Sequence, residues 1–228
     1  MCGRFSLFSD PGYLAEHFAL STACEYTPSY NITPSSNIPV IRLTVQGREA
    51  VNCHWGLLPH WARDTRYKPI NARAETITEK PFFRDAFRNK RCLFPANGFF
   101  EWKGHKGQKQ PFFFKLKEAE LFAFAGLWDH RERDNRSIDS CTIITTGANR
   151  IMQSIHDRMP VILDPEDYDE WLVDGSSTLL VPYPGEMTCF PVSTVVNSPA
   201  INGKDLIQPL DNLEIESPCA QSRGFVPR

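Results

Sequence analysis

Five apolar, aromatic-rich runs crowd the middle of this chain, at 91–95, 98–103, 110–116, 121–128 and 138–146. Each is shorter than a packed helix needs and rich in the β-branched and ring side chains that fit a pleated surface. Turn-forming or charged segments divide the first four: Pro95-Ala96-Asn97-Gly98, the Gly- and Lys-rich 104–109, and Lys117-Glu118-Ala119-Glu120. A sixth and seventh run, 38–45 and 49–55, alternate around Gln46-Gly47-Arg48 and read as a β-hairpin. With 18 Pro and 13 Gly, such a chain cannot be a helical bundle.

Helices have room only at the margins. Ser9-Asp10-Pro11 opens a short one whose Leu14 and Phe18, four apart, share a face. Residues 78–89 read as a helix packed through Phe83 and Phe87, with Pro81 in its first turn. Asp164-Pro165-Glu166-Asp167 offers an N-cap, a proline at the first helical position and acids near the positive helix end, so a helix to Leu172 is expected. The 228 residues suit one large domain, as domains run to roughly 150 residues. The predicted fold class is therefore α+β: a single domain, 1–211, with a mostly antiparallel, barrel-like core, a few short helices, and a flexible tail over 212–228.

Charge is unevenly spread. Residues 1–115 hold 16 Lys and Arg against 9 Asp and Glu, whereas 116–228 hold 9 against 18. Either the halves neutralise each other across one domain, or the first builds a basic surface for a polyanion. No apolar run approaches the ~18 residues that span a bilayer, and the N-terminus lacks a secretion signal's charged-then-apolar layout. No membrane partner is expected, and the expected location is the cytoplasm. The seven cysteines (2, 24, 53, 92, 141, 189, 219) include no CxxC pair, so no metal site and no cofactor are expected. Cys53, Cys92, Cys141 and Cys189 sit in strand-like stretches, where buried free thiols are expected.

Cys2 is different. Once Met1 is removed, it presents an amine titrating near ~7.7–8.0 and a thiol near ~8.5 on adjacent carbons. Such a 1,2-aminothiol can attack an acyl carbon with its own amine as base. It can also condense with an aldehyde, forming an imine that the thiol closes to a thiazolidine. In Ile70-Asn71-Ala72-Arg73-Ala74-Glu75, strand alternation puts Asn71, Arg73 and Glu75 on one face, as a polar groove wall or a solvated edge. Glu101, between Phe100 and Trp102 and on the face of Phe99, is a desolvated carboxylate of the kind that shuttles protons. His156, beside Asp157 and Arg158, suits acid, base or imine-polarising work; His54 and His130 read as structural. In Trp55-Gly56-Leu57-Leu58-Pro59-His60-Trp61, Trp55 reads as core. Trp61, with Arg63, Arg66 and Lys68 following, suits a stacked base of single-stranded nucleic acid, each stack being worth ~1–3 kcal/mol.

Taken together, MCGRF up to Phe5, YNITP at 30–34, WGLLPHW at 55–61, INARAET at 70–76, FPANGFFEW at 94–102, KQPFFF at 109–114, IITTGAN at 143–149, IHDRMPVIL at 155–163 and LIQPL at 206–210 closely resemble the SOS response-associated peptidase (SRAP) family. The resemblance covers roughly the first 210 residues. It implies a protein that shields abasic sites in single-stranded DNA, in which Cys2 captures the ring-opened sugar aldehyde as a thiazolidine after autoproteolytic or other loss of Met1. It further implies that Asn71 orients the reacting groups, Glu101 moves protons and His156 stabilises the opened deoxyribose. Arg4 and Arg73 would hold phosphates, and Asn31, Trp61, Trp102 and Thr145 would line the DNA path. A monomer, bacterial-type and nucleoid-associated when bound to DNA, would meet replication-fork components there. His60 falls at a position that varies in the family, so the resemblance does not fix that loop's exact base contacts.

Three other functions compete. A glutamine amidotransferase also begins Met-Cys-Gly, but its Asn-Gly segment should follow a first strand, and here Asn97-Gly98 lies far along the chain. A Cys/His protease would turn over added peptide through Cys2 and His156. A plain single-stranded DNA binder would not need Cys2.

Overall fold

The computed structural model describes residues 2–22, 25–105, 108–133 and 136–210. In chain order the elements are β1 (Phe5–Leu7), α1 (Pro11–His17), β2 (Ser29–Ile32), β3 (Asn37–Thr44), β4 (Gly47–Trp55), β5 (Asn71–Arg73), α2 (Pro81–Asn89), β6 (Arg91–Ala96), β7 (Gly98–Lys103) and β8 (Gln110–Leu116). Then follow β9 (Phe122–Arg133), β10 (Arg136–Gly147), β11 (Arg158–Pro160), β12 (Ile162–Leu163), α3 (Tyr168–Val173) and β13 (Met187–Pro191). The α+β, strand-dominated expectation holds, with every strand predicted from the central runs present.

Two sheets organise the domain. In the larger, β4 pairs β3, β3 pairs β6, β6 pairs β9, β9 pairs β10, and β10 returns to β4. That circuit closes a five-stranded barrel and leaves those strands no open edge. The pairings are antiparallel except β10 with β4 and with β5. The smaller sheet runs β13-β8-β7-β1-β2. Its inner face meets the barrel through aromatic edges: Phe5 against Trp55 at 5.2 Å, and Phe99 against Phe124 at 5.8 Å. Such pairs add about 0.5–1.5 kcal/mol each beyond burial. Its outer face packs Phe100 and Phe113 on Val192, Val196 and Leu206 as a second core. Alternation along β7 thus sends Phe99 and Glu101 one way, and Phe100 and Trp102 the other.

Several boundaries differ from the sequence reading for identifiable reasons. The helix expected from 78 starts at Pro81, because the residue before a proline avoids helical angles and Lys80 is extended at ψ 121°. Asp164 makes no cap bond; its carboxylate accepts from the Tyr183 hydroxyl, and residues 165–167 form a 3-10 turn ahead of α3. The 91–95 and 98–103 runs lie in different sheets, joined at Asn97. That buried amide accepts from the Phe8 and Ser9 N–H groups and donates to Ser9 Oγ and Glu120 O. Cys53, Cys92 and Cys141 are buried free thiols as expected, whereas Cys189 is disulfide-bonded. The expected 212–228 tail lies outside the described residues. Among the described residues no helix is long and apolar enough to cross a membrane.

Burial raises the Cys92 and Cys141 thiols well above their ordinary 9.0. An acid with a raised folded pKa stabilises the fold fully below the unfolded value and loses that contribution as pH rises, because only the unfolded thiol ionises. Urea unfolding under reductant should therefore show stability falling between roughly pH 8 and 10, with these two groups contributing about 3 kcal/mol alongside the buried Cys2 thiol. Cys92→Ala should remove about half of the share these two thiols contribute.

Candidate active site

The chain before β1 leads Cys2 into the junction between the sheets. Phe5 pairs with Phe99, and the Phe100 N–H donates to the Arg4 carbonyl at 2.9 Å. Continuing that antiparallel register brings Gly3 level with Glu101, on the inward side of β7. Cys2 is fully buried, and its thiol lies a weak 4.0 Å from the Arg4 carbonyl. Burial pushes that thiol well above its ordinary range, and the Glu101 carboxylate pushes it the same way. The thiol is accordingly held protonated at neutral pH.

The barrel supplies the opposing wall. Asn71 begins β5, and its Nδ2 donates to the Cys2 carbonyl at 2.9 Å, while its buried Oδ1 has no hydrogen-bond partner. β5 lies parallel to β10, with Thr145 in register with Arg73. The strand ends there, and 74–76 form a 3-10 turn. Strict alternation therefore fails at Glu75, whose carboxylate instead receives both terminal nitrogens of Arg158. Those bonds hold the Glu75 pKa below the usual carboxylate range. Arg158 also donates to the Thr145 carbonyl at 2.6 Å, tying the turn before β11 onto β10. On that turn the Arg158 N–H donates to His156 Nδ1 at 2.9 Å, and the Arg158 carbonyl stands 3.2 Å from the same nitrogen. The Asp157 carboxylate, 3.1 Å from the same nitrogen, is 90% exposed and so strongly screened.

A cavity of about 940 Å³ opens here, lined among others by Arg4, Glu101, Trp102, Gln110, His156 and Asn197. Arg4 donates from one nitrogen to Asn31 Oδ1 and the Val196 carbonyl, both at 2.6 Å, and lies 5.7 Å over the Trp102 ring. Trp102 Nε1 donates to Asn197 Oδ1 at 2.7 Å. The cavity thus combines a guanidinium, a ring face, a carboxylate and an imidazole, with the Cys2 backbone tethered beside it.

The predicted residues divide by place. Cys2, Arg4, Asn71, Glu101, Trp102 and His156 converge. Asn31 and Thr145 stand behind them, buried. The Asn31 amide donates to the Val196, Ser198 and Ile201 carbonyls, and the Thr145 hydroxyl donates to Ala72 O. Arg73 is exposed at the end of β5. Trp61, 46% exposed and edge-on to Phe82, does not line this cavity. Its loop is anchored through His60, whose N–H donates to Asp129 at 3.0 Å, while Trp55 is core as expected. Sequence reasoning missed Gln110 and Asn197; Gln110 lay within the KQPFFF motif without being singled out, and Asn197 sits in no local pattern that marks it.

Cys2, Asn71, Glu101 and His156 thus meet where the two sheets join, and the family of the chain follows from its relatives. The model of the SOS response associated peptidase (SRAP) family matches residues 1–199, and the chain belongs to that family. It is 45% identical over 222 residues to the abasic site processing protein YoqW of Bacillus subtilis, covering 91% of this chain and 99% of that one. It is 35% identical to the abasic site processing protein HMCES of Xenopus tropicalis, over 76% of this chain and 64% of that one. A crystal structure of a protein from Bacteroides thetaiotaomicron matches with TM-score 0.81 at 27% identity, over 92% of this chain and all of the other.

Proposed function

We propose that this protein captures abasic sites in single-stranded DNA covalently through Cys2, shielding the lesion from strand cleavage. The observation that carries the reading is the joint placement of Cys2 and Glu101 beside a cationic, aromatic cavity, with Asn71 fixing the Cys2 carbonyl. Relatives named abasic site processing proteins support it.

The chemistry begins when Met1 is hydrolysed away, by the protein itself using Cys2 and Glu101 or by an aminopeptidase. The liberated Cys2 amine attacks C1′ of the ring-opened sugar and water leaves, giving an imine. The thiol sulfur then adds to the imine carbon and its proton passes by way of Glu101 to nitrogen. A thiazolidine results, with the net loss of one water. Because the thiol is held protonated, ring closure needs a base, and Glu101 is the carboxylate beside it. His156 stabilises the hydroxyl released when the sugar opens. Arg4 and Arg73 hold flanking phosphates, while Trp61 and Trp102 offer ring faces to bases. Asn31 and Thr145 act from behind, by fixing Arg4 and β5. The protein works as a cytoplasmic monomer, meeting its substrate where replication exposes single strands.

Intact mass of the protein mixed with an abasic single-stranded oligonucleotide tests this directly. The expected species lacks one methionine and weighs the sum of protein and oligonucleotide less one water. Protein that keeps Met1 and forms no adduct would sink the reading. Repeated turnover of an added peptide, or release of ammonia from glutamine, would favour the protease or amidotransferase alternatives instead.

A further inference from the structure

A 3-10 turn, Thr194–Asn197, lines one side of the Cys2 cavity. Buried Val196 seats that turn on Phe100 and Phe113 in the second core. The Asn31 amide donates to the Val196, Ser198 and Ile201 carbonyls, and Ser193 Oγ accepts the Val195 N–H. Two consecutive residues of this anchored turn then hold groups of the cavity. The Val196 carbonyl accepts from Arg4 at 2.6 Å, and Asn197 Oδ1 accepts the Trp102 indole N–H at 2.7 Å.

Stability does not explain the second of these bonds. Asn197 is exposed and Trp102 half-buried, so water can replace either partner and the bond adds little to folding. It does, however, remove rotational freedom from a large side chain. The same ring is held from other sides as well: the Arg4 guanidinium lies 5.7 Å over its face, and Phe100 is tilted against it at 6.5 Å. An indole donates one hydrogen bond and accepts none, so Asn197 fixes which way the ring's nitrogen edge turns. A half-exposed ring fixed in this way is a stacking platform already ordered before a base arrives.

We propose that Asn197 is a positioning residue for strand binding. It orients the Trp102 ring for a base, while the Val196 carbonyl beside it sets Arg4 for a neighbouring phosphate. One turn thereby fixes the spacing between a ring face and a cation, the two contacts a single strand offers at each nucleotide. This role rests on the proposed capture of single-stranded DNA. It assigns Asn197 to affinity rather than to ring closure, because Asn197 acts through Trp102.

The test uses the full chain, the variants N197A and N197D, and undamaged and abasic single-stranded oligonucleotides. Asn197 is exposed and Val196 carries the core contact, so both variants should fold. The indole N–H proton resonance of Trp102, assigned by its loss in W102F, reports the bond directly. It should shift in N197A, which has no acceptor, and stay near the wild-type position in N197D, whose carboxylate accepts the same proton. Affinity of N197A for the undamaged strand should fall about threefold, with the slope of log K against log salt unchanged because no phosphate contact is lost. In abasic-site capture the protein concentration giving half-maximal rate should rise by the same factor, while the maximal rate falls less than about twofold. An unmoved Trp102 resonance in N197A overturns the inference, and so does a moved resonance with wild-type strand affinity. A wild type that binds the undamaged strand but captures nothing overturns the capture reading alone; one that binds no strand overturns both.

Discussion

Cys2→Ala, with Met1 removed, should yield no denaturant-resistant adduct with abasic single-stranded DNA, while salt-sensitive strand binding persists. Alanine keeps the α-amine, so the imine still forms, but no sulfur remains to close the ring and water reverses the step. Borohydride should restore a covalent species in this variant by reducing the imine, which separates loss of ring closure from loss of substrate access. The substitution removes one sulfur from a site that already tethers the backbone, through Asn71 to the Cys2 carbonyl, so the fold should tolerate it. Glu101→Gln should capture about 100-fold more slowly, at the low end of what a positioned proton carrier contributes. Its rate should recover partly with rising pH, since hydroxide can then accept the proton of a thiol that burial keeps on sulfur. His156→Ala should also slow capture with binding retained. Normal adduct formation by the alanine variant at residue 2 would end the proposal, because no other group in the cavity offers nitrogen and sulfur on adjacent carbons.

What was legible in the sequence was local or carried by motifs. The Asp10 cap, bonded to Gly12 and Tyr13 N–H, and the Leu14–Phe18 face follow from short-range rules. So does the 37–55 hairpin, whose Thr44–Gly47 pairing differs from the reading only in placing Val45 and Gln46 at the turn. Alternation along β7 correctly put Glu101 on the Phe99 face. Non-local facts were not legible. Closure of the barrel depends on β10 meeting both β9 and β4, strands remote from each other in the chain. Strands β1, β2, β11 and β12 have two to four residues, too few for a period to register. The diversion of Glu75 to Arg158 needs a partner 83 positions away. Asn31 and Thr145, marked by resemblance as DNA-lining, lie buried behind the cavity, a placement that a motif read without its fold does not give. The disulfide at Cys189 likewise escaped a reading based on strand-like surroundings.

Gly98→Ala should cost about 4 kcal/mol, above the usual 1–3 kcal/mol for one added methyl, and lower the melting temperature by roughly 12 °C. No unusual backbone angle is involved; the reason is space. A β-carbon at 98 would stand 2.2 Å from Phe113 Cζ and 2.7 Å from the Phe114 carbonyl oxygen. The ring tip could swing, though only within the second core that Phe113 shares with Phe100. The carbonyl oxygen cannot yield without parting β7 from β8, and Gly98 is held from the other side by Ser6, paired across β1. The strain therefore passes along β7, loosening the Phe99–Phe114 stack at 5.1 Å and moving Glu101, three residues on, away from Cys2. Abasic-site capture should fall with stability, and more than the folded fraction alone accounts for. Gly147→Ala is the matched control, since a β-carbon there meets nothing within 4 Å; it should leave melting and capture unchanged. Equal melting temperatures for the two variants would mean that the β7–β8 contact at Asn97-Gly98 is looser than these distances require.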